Sequence, residues 1–345
     1  MAATLRRFRL GNAMVCAGIG LAGALIVLAL RYAGVLQTAE LYAYDAFVRL
    51  RAPNAPAGND KIALIEINEH NIEEYNHPLW DTDLAGLLTK IEGQQPAAIG
   101  LDLYRDLPEP RHNHDGLQGL YSLLKANDNI ICAFKFGDPD HPFEIPPPGI
   151  LKDRVEDRIG FNDFPSDNGT VRRACIYLPD SKGTPYTSFA LLLALAGGVI
   201  NPANLDNGLI ALGGAPVYKF TGDTGGYVNA KDGGYQFLLD FKGPRAFTSY
   251  SLDDVLENRV PGNAFAEKIV LIGETNTSVR DAVSTPLRDD EPGVEMHATL
   301  VDQLMRMDKG ARTMQAWGWR AQAGWLILWC AIAANIGYYC RAPLA

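Results

Sequence analysis

Acidic side chains at the ends of apolar runs are the first feature of this chain with chemistry in them. Glu66 lies near the end of the run 61–68 (KIALIEIN) and Glu69 directly follows it, and Asp102 lies near the end of 97–103 (AAIGLDL). Gly273 ends a later run, 268–273 (KIVLIG), and is followed by Glu274, Thr275 and Asp281. His297 comes after the turn Pro292-Gly293. An Asp281–His297 pair has the residue types for acid–base work. The plainer reading is that Asp281 orders a loop and His297 satisfies a buried hydrogen bond. No G-x-S-x-G, HExxH or P-loop accompanies them, so no nucleophile or phosphate cradle is encoded. Structure or ligand recognition is the expected use of Glu66, Glu69, Asp102, Arg105, Gly273, Thr275, Asp281 and His297.

An anionic ligand would need a local cation. Arg105, Arg172, Arg173 and Arg280 are the candidates, each with a surface ion pair as the plain alternative. His112, His114 and Asp115 lie in a polar stretch without a further ligand, so no metal is expected. Gly18-x-Gly20-x-x-Gly23 has the dinucleotide spacing but follows no strand, so no cofactor is expected either. Asn168 and Asn276 fit glycosylation sequons, and Asn168-Gly169 reads equally as a turn.

The elements that must position these residues follow from periodicity. Residues 36–51 have helical spacing, and 52–59 form a Pro/Gly/Asn loop. Strand-like runs at 61–68, 97–103 and 129–136 alternate with amphipathic stretches at 83–94 and 115–127. Runs apolar on both faces predict a parallel sheet, placing Glu66, Glu69 and Asp102 on one edge, where ligands of α/β proteins bind. Residues 186–197 predict an apolar helix, 209–241 an inserted antiparallel meander, 252–257 a short helix, 268–273 another buried strand and 294–307 a helix. The fold class is therefore mixed α/β (α+β), a parallel βαβ core with an inserted meander, plus two membrane helices.

Those helices explain the composition. The 345 residues are 47% apolar and 21% charged, which excludes a disordered chain, and the net charge of −9 argues against nucleic acid. Residues 10–30 carry no charge, exceed the roughly 7–15 apolar residues of a signal peptide and are long enough to span a bilayer. Arg6, Arg7 and Arg9 precede them and Arg31 follows, which puts the tail 1–9 in the cytoplasm and a transmembrane helix at 10–31. Residues 321–340 predict a second span, with Trp317, Trp319, Trp325, Tyr338 and Tyr339 near its ends. Residues 1–34 hold four Arg and 317–345 two, without acids, so against the total of −9 the middle carries −15. Two crossings return the chain to the cytoplasm, so the middle faces the outside or the periplasm. Gly18, Gly20, Ala22 and Ala24 give the first span small-residue faces through which two helices approach closely, as in a homodimer. Cys132 reads as a buried thiol, although export permits a bridge to Cys175.

Six segments in order resemble the second class of CHASE domain, the extracellular sensory domain associated with cyclases and histidine kinases. They are Tyr44-Asp45-x-x-x-Arg49-Leu50-Arg51, 62–72 (IALIEINEHNI), 97–106 (AAIGLDLYRD), 159–173 (IGFNDFPSDNGTVRR), 268–286 (KIVLIGETNTSVRDAVSTP) and 292–304 (PGVEMHATLVDQL). The resemblance covers about residues 36–310. It implies a sensor that passes a stimulus or small ligand through its membrane helices to a cytoplasmic cyclase or kinase, with no catalytic domain in this chain. His77-Pro78-Leu79-Trp80-Asp81 departs from the family pattern, since no Arg follows the Trp. The chain stops five residues after Cys340, so an output module is expected elsewhere. A membrane-anchored enzyme using Glu66, Asp102, Asp281 and His297, or an envelope scaffold, are the alternatives.

Overall fold

The computed structural model describes residues 2–52, 58–112, 114–205, 211–212, 215–243, 245–279 and 281–339. The chain divides into two units. The larger comprises residues 46–220 and 232–314, and the smaller comprises 1–45, 221–231 and 315–345.

The helices are α1 (Ala2–Tyr32), α2 (Gln37–Arg51), α3 (Glu69–Tyr75), α4 (Asp81–Glu92), α5 (Leu117–Ala126), α6 (Phe189–Ala196), α7 (Leu252–Leu256), α8 (Gly293–Asp308) and α9 (Trp319–Tyr339). The main strands are β1 (Ile62–Ile67), β2 (Ala98–Asp102), β3 (Ile130–Phe136), β4 (Phe143–Ile145) and β5 (Ile159–Phe161). Short ladders follow: β6 (Ser166–Asp167), β7 (Thr170–Val171), β8 (Arg173–Pro179), β9 (Pro185–Thr187), β10 (Ala211–Leu212), β11 (Ala215–Pro216) and β12 (Tyr235–Leu238). The last strands are β13 (Thr248–Ser251), β14 (Ile269–Glu274), β15 (Ala282–Val283) and β16 (Glu291–Pro292).

In the larger unit a seven-stranded sheet runs in the order β13-β1-β14-β2-β3, with β5 parallel and β4 antiparallel to β3. All pairs from β13 to β5 are parallel, as the two-sided apolar runs require. Alternate side chains serve opposite faces. Ile65, Ile99, Leu101 and Ile272 join Leu84, Leu87, Leu88 and Ile91 of α4 in the main core. The other face is covered by α6 and α8. Gly100 is needed there: a Cβ would meet Leu193 Cδ1 at 2.7 Å and Phe189 Cζ at 2.8 Å. Helix α6 starts at Phe189 rather than Tyr186, because Ser188 caps it by accepting from Leu191 N. The expected meander is smaller than its span. β12 joins β8 and β9, β10 pairs with β11, and 217–234 runs without strands through glycine-rich turns. Gly213 and Gly214 lie outside the described residues.

In the smaller unit α1 packs on α9. Met14–Tyr32 is long and apolar enough to cross a membrane, the one such helix among the described residues. Helix α9 has 21 residues and carries Gln322 and Asn335, which lower its apolarity. Gly20 and Ala24 face α9 of the same chain: a Cβ on Gly20 would lie 2.9 Å from Ala334 Cβ, and Ala24 is buried. Gly18 and Ala22 are exposed. The corner between α1 and α2 is held by Arg31, which pairs with Glu40 at 3.0 Å and donates to the Gly225 carbonyl at 2.7 Å.

Candidate functional site

Glu66, Gly273 and Asp102 occupy one row across β1, β14 and β2, at the C-terminal ends of the strands. The sheet edge expected from the sequence is therefore built, with the later strand inserted between the earlier two. Residues of one row share a face. The row lies on the side of α8, and Gly273 lets that helix sit down on the sheet, since a Cβ there would meet Val294 Cβ at 2.7 Å.

The first turn of α8 brings two carboxyls together. A Cβ on Gly293 would lie 3.4 Å from Asp102 Oδ2 and 3.5 Å from Asp281 Oδ2. Asp281 belongs to an exposed loop, but its carboxyl is turned onto Gly293, and Gly293 N donates to its carbonyl at 3.1 Å. Asp102 is buried and accepts from Asn162 Nδ2 at 2.8 Å. No cation forms an ion pair with Asp281 among the described residues, and Asp102 has only the imidazole of His297, 3.8 Å away at Nε2. His297, in the second turn of α8, thus has Asp102 of β2 as its carboxylate neighbour. Its ring centroid lies 4.8 Å from that of Phe164 and 5.1 Å from that of Phe189, and the Asn162 backbone lies beside it.

These surroundings set the protonation states. Burial pushes Asp102 up to about 6, against the Asn162 hydrogen bond. Burial, then the charges of Asp102 and Glu274, push Asp281 up to about 7. Burial pulls His297 down to about 3, leaving it neutral and a weak base. The folded chain therefore holds the carboxyl protons more tightly than the unfolded chain. That share of stability is full below about pH 4 and is lost as the pH rises to about 7. The His297 share has the opposite sign and is lost as the pH falls from 6.5 towards about 3. Asp281→Asn is expected to flatten the fall in Tm between about pH 4 and about pH 7. Equal slopes in thermal melts of the two proteins would remove the carboxyl pair from consideration.

The remaining predicted residues lie elsewhere along the edge. Glu274 follows Gly273 and so points to the opposite side, where His77 Nδ1 approaches it at 3.3 Å. Arg105 is buried near Asp81, Glu109 and Glu274; burial lowers its pKa, those charges oppose the shift, and among the described residues its Nε has no partner. Glu69 opens α3 and accepts from Ser278 and Thr277, hydrogen bonds that lower its pKa. Thr275 extends the ladder, donating its N–H to Ile67 at 3.0 Å. Of the other cations, Arg173 is paired with Asp167 and Gln236, and Arg172 donates to the Asp167 carbonyl at 3.3 Å. Arg280 lies outside the described residues. Cys132 and Cys175 are buried free thiols, both pushed up to about 12 by burial. Among the described residues no three His, Cys, Asp or Glu side chains come together as metal ligands would.

A family model for the CHASE2 domain matches residues 22–335. The chain belongs to the CHASE2 family. CHASE2 domains are extracellular sensory domains. Comparison with curated proteins and with solved structures gives no match.

The segments that carried the resemblance converge on this CHASE2 edge. The 159–173 segment supplies Asn162, which bridges Asp102 and the Tyr104 hydroxyl. The 268–286 segment supplies Gly273 and Asp281, and the 292–304 segment supplies Gly293 and His297. Sequence reading missed Asn162 and Gly293 as site residues. An Asn after a short strand and a Gly opening a helix have many ordinary uses, and only their spatial neighbours distinguish them. The same holds for Arg49, whose Nη1 donates to the Pro286 carbonyl at 2.9 Å.

Proposed function

We propose that this chain is the sensory region of a bacterial membrane receptor. Residues 10–31 and 321–340 cross the inner membrane, and the CHASE2 domain between them faces the periplasm. The family match over residues 22–335 carries this reading, and the apolar helix Met14–Tyr32 supports it. The stimulus acts at the sheet edge around Asp102 and Asp281, and the chain works as a homodimer that hands the signal to a cytoplasmic cyclase or kinase. No residue of this chain has a catalytic role in this reading. A stimulus shifts the equilibrium only if it binds two conformations unequally.

Topology provides the test. A reporter enzyme active only outside the cytoplasm, fused after Gly310, is expected to be active, and the same reporter at the C-terminus inactive. Cytoplasmic activity of the Gly310 fusion would overturn the receptor topology.

A further inference from the structure

The loop between β14 and α8 is a braced hairpin with one end at the carboxyl pair. β15 and β16 pair with Ala282 opposite Pro292 and Val283 opposite Glu291. Its root is the bond from Gly293 N to the Asp281 carbonyl, the same two residues at which the Asp102 and Asp281 carboxyls meet. Its tip is stiffened by Thr285, which is buried. The Thr285 hydroxyl accepts from Leu287 N and Arg288 N at 3.2 Å each, and Thr285 N donates to the Arg288 carbonyl at 2.8 Å. That turn presents the Pro286 carbonyl to Arg49 of α2, 237 residues earlier in the chain.

Among the described residues no helix or strand packs extensively on the Ala46–Arg51 part of α2, although its Val48 is buried. Its polar ties are therefore informative. Arg49 reaches the hairpin tip. Arg51 pairs with Asp240, which Arg306 of α8 also engages at 2.7 Å. Both ties lead back to the edge, one through the hairpin and one through the helix that starts at Gly293. Arg49 itself is exposed, so its bond can break and re-form without opening the core.

Resting on the sensor reading, we propose that the β15–β16 hairpin is a lever. It couples the Asp102–Asp281 edge to the end of α2, with Arg49 as the positioning residue at the contact. A change in how Asp281 sits against Gly293 tilts the hairpin root. The braced tip moves with it, and the Pro286 carbonyl draws or releases Arg49.

Hydrogen exchange on the full chain in detergent micelles tests this, with the near-isosteric substitution Asp281→Asn as the perturbation and a thermal melt to establish folding. Asp281→Asn is expected to change exchange both over 282–292 and over 46–51. Arg49→Gln alone is expected to speed exchange over 46–51 by about tenfold, the effect of one lost charge-assisted hydrogen bond. In the double variant the response over 282–292 should persist and that over 46–51 should vanish, with Arg49→Lys restoring part of it. A hairpin that responds while 46–51 does not, or a response over 46–51 that survives Arg49→Gln, overturns the lever and leaves the sensing edge standing. A hairpin unmoved by Asp281→Asn overturns the edge itself, and the lever with it.

Discussion

Gly160→Ala is expected to destabilise the larger unit by about 3 kcal/mol or more, read as a lower denaturant midpoint with an unchanged slope. Gly160 is the middle residue of β5 and pairs with Ala133. A Cβ there would lie 2.4 Å from Phe189 Cα and 2.5 Å from Phe189 N. Those are backbone atoms at the start of α6, so no side-chain rotation relieves the clash. Either β5 leaves β3 or α6 lifts from the sheet. Lifting α6 would also move the Phe189 ring away from His297, so the carboxyl edge should feel the change. Gly119→Ala is the control. That glycine is helical, in α5, and a Cβ would meet nothing within 4 Å. It is expected to stabilise by about 0.5–1 kcal/mol through helix propensity alone. If Gly160→Ala melted like the parent, the close approach of α6 to β5 would be wrong.

Asp302→Ala is expected to cost about 3–5 kcal/mol. Asp302 Oδ2 lies 3.2 Å from Lys242 Nζ, and the two side chains are 2% and 3% exposed. Arg306 Nε donates to the same oxygen at 2.8 Å. Removing the carboxylate takes away the counter-charge 3.2 Å from a buried ammonium, so less of that ammonium's desolvation is offset. The pair is not itself a large net source of stability. Lys242→Met combined with Asp302→Leu should therefore recover much of the loss, because apolar groups of similar volume need no counter-charge. Urea unfolding of the single and double variants checks both statements. A double variant as unstable as Asp302→Ala would mean that the loss lies in the Arg306 contact instead.

Much of the architecture was legible in local pattern. Two-sided apolar runs at β1, β2, β3 and β14 left a parallel sheet as the consistent arrangement, and strand direction alone then put Glu66, Gly273 and Asp102 at one end. The periodicity of α4 matched its buried face at Leu84, Leu87, Leu88 and Ile91. The glycine-rich stretch 209–241 was harder, because turn residues look alike whether or not strands lie between them.

What the sequence determined by itself was the main helices, the buried strands β1, β2, β3 and β14, the carboxylates at their ends and the apolar first helix, since each follows from composition and spacing over a few turns. The tertiary structure alone decided that β14 enters between β1 and β2, through pairing with residues some two hundred positions earlier. It also decided which neighbours face each other. Gly273 and Glu274 are adjacent, yet the pleat sends them to opposite sides of the sheet, so one joins the Asp102–Asp281 edge and the other meets His77. Likewise His297 found Asp102, Gly20 found α9 of its own chain, and Arg49 found the hairpin tip. Local pattern says which face of an element is buried, but the identity of the partner depends on packing between segments far apart in the chain.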